Sequence, residues 1–164
     1  MPVIIRHAEL ADAKALQQIY QQPSVYANTL QLPLQAVEHW QQLCQRQPGF
    51  YNLVAELDGE LVGQLGLQQF QNQRRRHAAD IGMAVSEPFQ GQGIGSALLR
   101  TALEMADNWL AIRRLELQVY SSNEAAVALY ERFGFEVEAE LTDYAFQYGQ
   151  YVSVLQMARI MTNR

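Results

Sequence analysis

Lysine is almost absent. Among 164 residues there is one, Lys14, beside eleven Arg, and these 12 basic residues face 17 acidic ones for a net charge of −5. Nucleic acid and anionic membranes recruit proteins through a basic field, so neither is expected as the main partner. Cysteine is equally scarce: Cys44 stands alone, and no internal disulfide can form. No apolar run approaches the ~20 residues of a membrane span. The start, MPVIIRHAEL, has no long apolar core and does not read as a signal peptide. These absences lead to the expectation of a cytoplasmic protein. His7, His39 and His77 lie too far apart for metal-ligand spacing, so no metal is expected. The shortage of Lys also sets a condition: a phosphorylated ligand would have to be held by something else.

What is present describes a globular chain. Hydrophobic residues make up 49% and charged residues 18%, with no repeat or linker, so residues 1–164 read as a single domain. Gln occurs 21 times, scattered through periodic segments as on solvated faces. Val3–Arg6 reads as a short strand, Glu9–Tyr20 as a helix stopped by Pro23, Gln22–Pro33 as a loop and Leu34–Gln45 as a second helix. Phe50–Leu57 and Glu60–Phe70 flank Asp58-Gly59, a strong hairpin signal. Ala78–Val85 is the third antiparallel strand in a row. Gly93–Trp109 then carries a helical stripe, Leu115–Tyr120 a strand, Asn123–Phe133 a helix, and Phe135–Phe146 and Tyr151–Ile160 two strands around Gly149. The expected class is α+β: a mixed, mostly antiparallel sheet of about six or seven strands with about four helices on both faces. The crossover through the long helix makes Ala78–Val85 and Leu115–Tyr120 parallel.

The chemistry-bearing segment runs from Val85 to Leu98. A strand ends, Gly91, Gly93 and Gly95 alternate with other residues, and a helix begins. Glycines let backbone N–H groups approach a ligand, and a helix start adds unpaired donors and a positive dipole end. Such a turn can cradle a pyrophosphate without lysine. It lacks the spacing of a dinucleotide fingerprint and the Lys of a Walker loop.

Gln90-Gly91-Gln92-Gly93-Ile94-Gly95 resembles the pyrophosphate loop of the GCN5-related N-acetyltransferases. Asn123-Glu124-Ala125-Ala126-Val127-Ala128-Leu129-Tyr130 and Gly134-Phe135 resemble their second signature, and His77–Val85 looks like their central strand. The likeness runs from about residue 3 to residue 160. Gln22–Pro33 and the final strand are similar to bacterial enzymes that acetylate free L-amino acids, although Ser153 stands where that subgroup usually has an acidic residue. The resemblance implies acetyl-CoA as donor and a small-molecule amine as acceptor. Gln90, Gly91, Gly93, Ile94, Gly95 and Ser96 would hold the pyrophosphate. Met83, Val85, Asn123, Ala126 and Tyr130 would line the pantetheine arm, an extra β-partner for which the two parallel strands must splay. Tyr130 stands where the family places its general acid. Family analogy also allows a homodimer through the last strand.

The base stays open between Asp80, the only carboxylate in an apolar strand, and His77 at that strand's start. The Val85 N–H is a candidate oxyanion donor. Tyr26, Asn28 and Thr29 are the candidate acceptor wall, or else loop residues capping helix ends. Arg74-Arg75-Arg76 would attract a carboxylate or simply be solvated, and Arg113-Arg114 reads as solvated. A protein or lysine acetyltransferase and a non-catalytic acyl-CoA sensor are the alternatives to amino-acid acetylation.

Overall fold

Two left-handed dipeptides set the hairpins of this chain. Asp58 and Gly59 (φ 52° and 80°) turn β2 (Phe50–Leu57) into β3 (Glu60–Gln69), and Tyr148 and Gly149 (φ 50° and 76°) turn β6 (Glu136–Gln147) into β7 (Gln150–Ile160). Both residues at positive φ give the twist that matches flanking right-twisted strands. In the computed structural model, which describes residues 2–162, these strands join β1 (Ile4–His7), β4 (Ala78–Val85) and β5 (Arg114–Tyr120) in one sheet. The order is β1-β2-β3-β4-β5-β7-β6. Among the described residues its one parallel pair is β4–β5, joined by the crossover helix α4 (Ile94–Asn108).

Strand alternation divides the sheet into two faces. On one, α4 lays Ile94, Leu98, Leu99, Ala102 and Ala106 on Leu65, Leu67, Ile81, Leu115 and Leu117, and α5 (Glu124–Arg132) completes that core with Tyr130. On the other, α1 (Ala13–Tyr20) and α3 (Val37–Cys44) pack Leu16, Ile19, Tyr20 and Trp40 on Val54 and Ala84. The mixed α+β sheet with helices on both faces is as the sequence implied, with seven strands and five helices.

Four expectations need correction. Pro23 does not leave a bare loop; it opens the short helix α2 (Pro23–Tyr26), because a proline lacks only an N–H that a first helical turn leaves unpaired anyway. Residues 10–12 form a 3₁₀ turn, so α1 begins at Ala13 and not Glu9. The second long helix begins at Val37, after Leu34 adopts φ 63°. Arg114 is not simply solvated: it lies on β5 and pairs with Glu116 (2.6 Å) and Glu138.

Phe135 follows α5, is buried in the larger core and meets Tyr130 edge-to-face with ring centroids 5.7 Å apart. Phe135→Ala removes both contacts and is expected to cost about 3–5 kcal/mol, read as a fall in the urea midpoint at unchanged m-value.

Candidate active site

The parallel ladder is short. β4 and β5 pair at Ala78↔Arg114, Ala79↔Leu115 and Asp80↔Glu116, and no further. Each strand stays paired along its length on the outer side, β4 with β3 and β5 with β7. On β4, Ser86 N–H donates to Val62 O (2.9 Å) and Phe70 N–H to Ala78 O (3.0 Å), so even-numbered residues direct their backbone groups at β3. Odd-numbered ones face β5, as His77 O does in accepting from Arg113 and Arg114 N–H. Beyond Asp80, the N–H groups of Met83 and Val85 therefore point into a gap with no strand partner. Gln90 Nε2 reaches back to Val85 O (3.0 Å).

A cleft of about 870 Å³ passes through this gap. On the α4 side it is lined by Gln90, Gly91, Gly93, Ile94, Gly95 and Ser96. Gly91 and Gly93 sit at φ 74° and 85°, a conformation that an L side chain resists. α4 has no side-chain cap, and its first helical bond is Ala97 N–H to Gly93 O (3.0 Å). Its leading N–H groups are thus free to meet an anion. Opposite lie Asn123, Ala126, Leu129 and Tyr130. Asn123 caps α5 by accepting from Ala126 N–H (3.3 Å). A Cβ on Gly95 would come within 3.3 Å of Leu129 and 3.4 Å of Met83, so that glycine permits the close approach of α4 to α5. Arg132, one turn beyond Leu129, is the one Lys or Arg side chain among the described residues that line the cleft. The sequence reading had not singled it out.

Two titratable groups line the gap. Tyr130 is 7% exposed, and burial, with Asp80 nearby, pushes its hydroxyl up to about 12. Asp80 has a buried Oδ1 without a hydrogen-bond partner; burial first, then the charge of Glu116, pushes its carboxyl up to about 6. A carboxyl near neutrality beside a neutral phenol can exchange protons with a reacting group. His77 is exposed and outside the lining, so it is not gathered with them.

The face toward α1 and α2 supplies a third wall. Asn28 and Thr29 line it. Tyr26 does not: its carbonyl accepts from Thr29, so it shapes the loop instead. Arg75 is ion-paired to Glu116 (2.9 Å) and stacked 4.6 Å over Phe70, which leaves the Arg74–Arg76 triplet away from the lining. Tyr20, Gln64, Gln118, Tyr120 and Tyr144 also line the cleft and had not been foreseen. Gly66 and Gly82, paired across β3 and β4, leave the floor there as bare backbone. Among the described residues, no group of three His, Cys, Asp or Glu is placed to hold a metal, and no helix is long and apolar enough to cross a membrane.

This architecture has known counterparts. A model of the acetyltransferase (GNAT) family matches residues 13–135. The L-amino acid N-acetyltransferase AaaT of Escherichia coli (strain K12) is 43% identical over 158 residues, 96% of this chain and 98% of that protein. A ribosomal-protein-alanine N-acetyltransferase from Brucella melitensis superimposes with a TM-score of 0.85 at 30% identity, over 96% of this chain and 99% of that one. A Salmonella typhimurium putative acetyltransferase solved with acetyl-CoA shares the fold at a TM-score of 0.84 and 21% identity, over 100% and 96% of the two chains.

The Asp80 carboxyl titrates near 3.8 when unfolded and about 6 when folded. The folded state therefore binds its proton more readily, and stability falls as pH rises between those values. Asp80→Asn is expected to stabilise the fold at pH 8, by up to about 3 kcal/mol, and to give no gain at pH 4. Urea denaturation at both pH values measures the difference.

Proposed function

The chain belongs to the GNAT family of acetyltransferases, and on that premise we propose that it transfers an acetyl group from acetyl-CoA to the primary amine of a small molecule, a free amino acid first of all. Transfer is direct, within a complex of both substrates. The observation that carries this reading is the parting of β4 and β5 beside the bare first turn of α4. Unpaired backbone donors along a strand suit an amide-bearing chain laid beside them, and free N–H groups at a helix start suit its phosphates. The residues fit acetyl-CoA on both counts. When bound, it supplies an activated acyl group and a thiol leaving group.

In this reading Gln90, Gly91, Gly93, Ile94, Gly95 and Ser96 hold the pyrophosphate, with Arg132 as the nearby cation. Met83, Val85, Asn123 and Ala126 hold the arm, and the Val85 N–H is aimed at the carbonyl oxygen. Asp80 takes the proton of the acceptor ammonium. Its rise from 3.8 to about 6 brings it two units closer to that ammonium, about 3 kcal/mol of proton-transfer cost removed. Tyr130 meets the sulfur as the thiolate forms. A phenol near 12 gives up a proton to a thiolate near 8.5 only at a cost of about 5 kcal/mol. Tyr130 therefore acts first as a hydrogen-bond donor. Because the Asp80 charge is part of what raises it, protonation of Asp80 makes Tyr130 the stronger acid at the moment the sulfur departs.

The 43% identical relative, named as an L-amino acid N-acetyltransferase, supports the free amino acid as acceptor. A second reading, the α-amine at the start of a protein, is supported by the 30% identical ribosomal-protein-alanine N-acetyltransferase. Amine-dependent thiol release decides between them: free amino acids are expected to drive it, turnover on peptides alone reverses the order, and acetyl-CoA binding without release on any amine leaves a sensor. Tyr130→Phe is expected to lower kcat about a hundredfold with acetyl-CoA affinity unchanged. The rise of kcat/KM through pH about 6 is expected to disappear in Asp80→Asn.

A further inference from the structure

Tyr20 stands at the end of a hydrogen-bond relay whose direction is fixed by its other end. The carbonyl of Leu43 can only accept, so Asn52 presents its Nδ2 there (3.1 Å). Asn52 Oδ1 is then what faces Gln64, and it accepts from Gln64 Nε2 (2.7 Å). Gln64 Oε1 in turn faces Tyr20, whose hydroxyl must donate to it (2.6 Å). The single proton of Tyr20 is committed to Gln64, and the phenolic oxygen retains lone pairs. Asn52 is 1% exposed and Tyr20 7%, and Gln64 between them is half-buried. The ring is held by stacking on Trp40 at 4.5 Å between centroids. Burial, with Tyr130 as the neighbouring charge when ionised, raises the Tyr20 hydroxyl well above its ordinary value, so it stays neutral.

We propose that Tyr20 is an acceptor-binding residue whose oxygen receives an N–H of the incoming amine and so turns the nitrogen lone pair toward the thioester. This rests on the acetyl-transfer reading. A neutral primary amine has two N–H groups and one lone pair. Two oxygens are needed to fix it: Tyr20 and, on the same face of the sheet, Asp80, whose Oδ1 has no hydrogen-bond partner among the described residues. Arg132, the one Lys or Arg lining the cleft among the described residues, is on α5, which packs on the opposite face. The acceptor wall thus offers oxygen lone pairs and one carboxyl to an amine or ammonium.

The test is the split between the two Michaelis constants. Tyr20→Phe keeps the ring on Trp40 and removes the oxygen. It is expected to raise KM for the amine about tenfold to a hundredfold, with KM for acetyl-CoA unchanged. Gln64→Leu frees the Tyr20 proton to turn into the cleft and is expected to raise the amine KM by less. The double variant is expected to be no worse than Tyr20→Phe, because Gln64 acts through that hydroxyl. An unchanged amine KM in Tyr20→Phe, equal rises in both constants, or full additivity of the two substitutions overturns the assignment. A wild-type chain that binds acetyl-CoA but releases no thiol with any amine overturns the acetyl-transfer reading and this inference with it.

Discussion

The site depends on a pairing that the sheet does not complete. A backbone N–H in a sheet interior is costly to leave unmatched, and native strands seldom do so. Here β4 and β5 part after three residue pairs, while each is held by its outer neighbour over its whole length. The gap between them is walled by two paired strands, and in the proposed reading it takes a ligand with amide groups of its own. The bare first turn of α4, led by Gly93 at φ 85°, extends the same deficit from strand to helix. The open donors of Met83 and Val85 on the strand and of the first turn of α4 are backbone, and in the proposed reading they let a chain with one lysine take a phosphorylated ligand.

Around that gap the side chains are arranged by burial more than by charge. Asp80, Tyr130 and Tyr20 are three oxygen-bearing groups, each raised in pKa by its surroundings, with the charge of one acting on the next. In water these effects would be small. Inside the cleft, desolvation leads every one of them and the pairwise charge follows. Moving one proton therefore changes the others, and in the proposed mechanism this couples Asp80 as base to Tyr130 as acid. Phe135 against Tyr130 and Trp40 against Tyr20 hold the two rings, so packing sets where both hydroxyls lie.

Much of this was legible along the chain. The limits of β2 and β4, the left-handed Asp58-Gly59, the glycine loop and the Asn123 cap are local signals, each settled within a few residues. Pro23 was misread because the same ring that ends one helix is tolerated at the start of the next. Arg114 was misread because its partners, Glu116 and Glu138, are brought together by the sheet and not by the sequence. The Tyr20, Gln64 and Asn52 relay was out of reach for the same reason: its members come from α1, β3 and β2, and only the folded register sets them in line. Tyr26 looked as good as Asn28 or Thr29 in a loop, and only the short helix turns it away from the cleft.

The central claim is that the open backbone of β4 receives the donor's arm as a strand would. Amide hydrogen exchange at Met83 and Val85, with and without acetyl-CoA, tests it most directly. The account predicts fast exchange at both amides in the free protein and marked protection on binding. Even-numbered neighbours such as Ala84, already directed at β3, should change little. Unchanged exchange at Met83 and Val85 under saturating acetyl-CoA would contradict it.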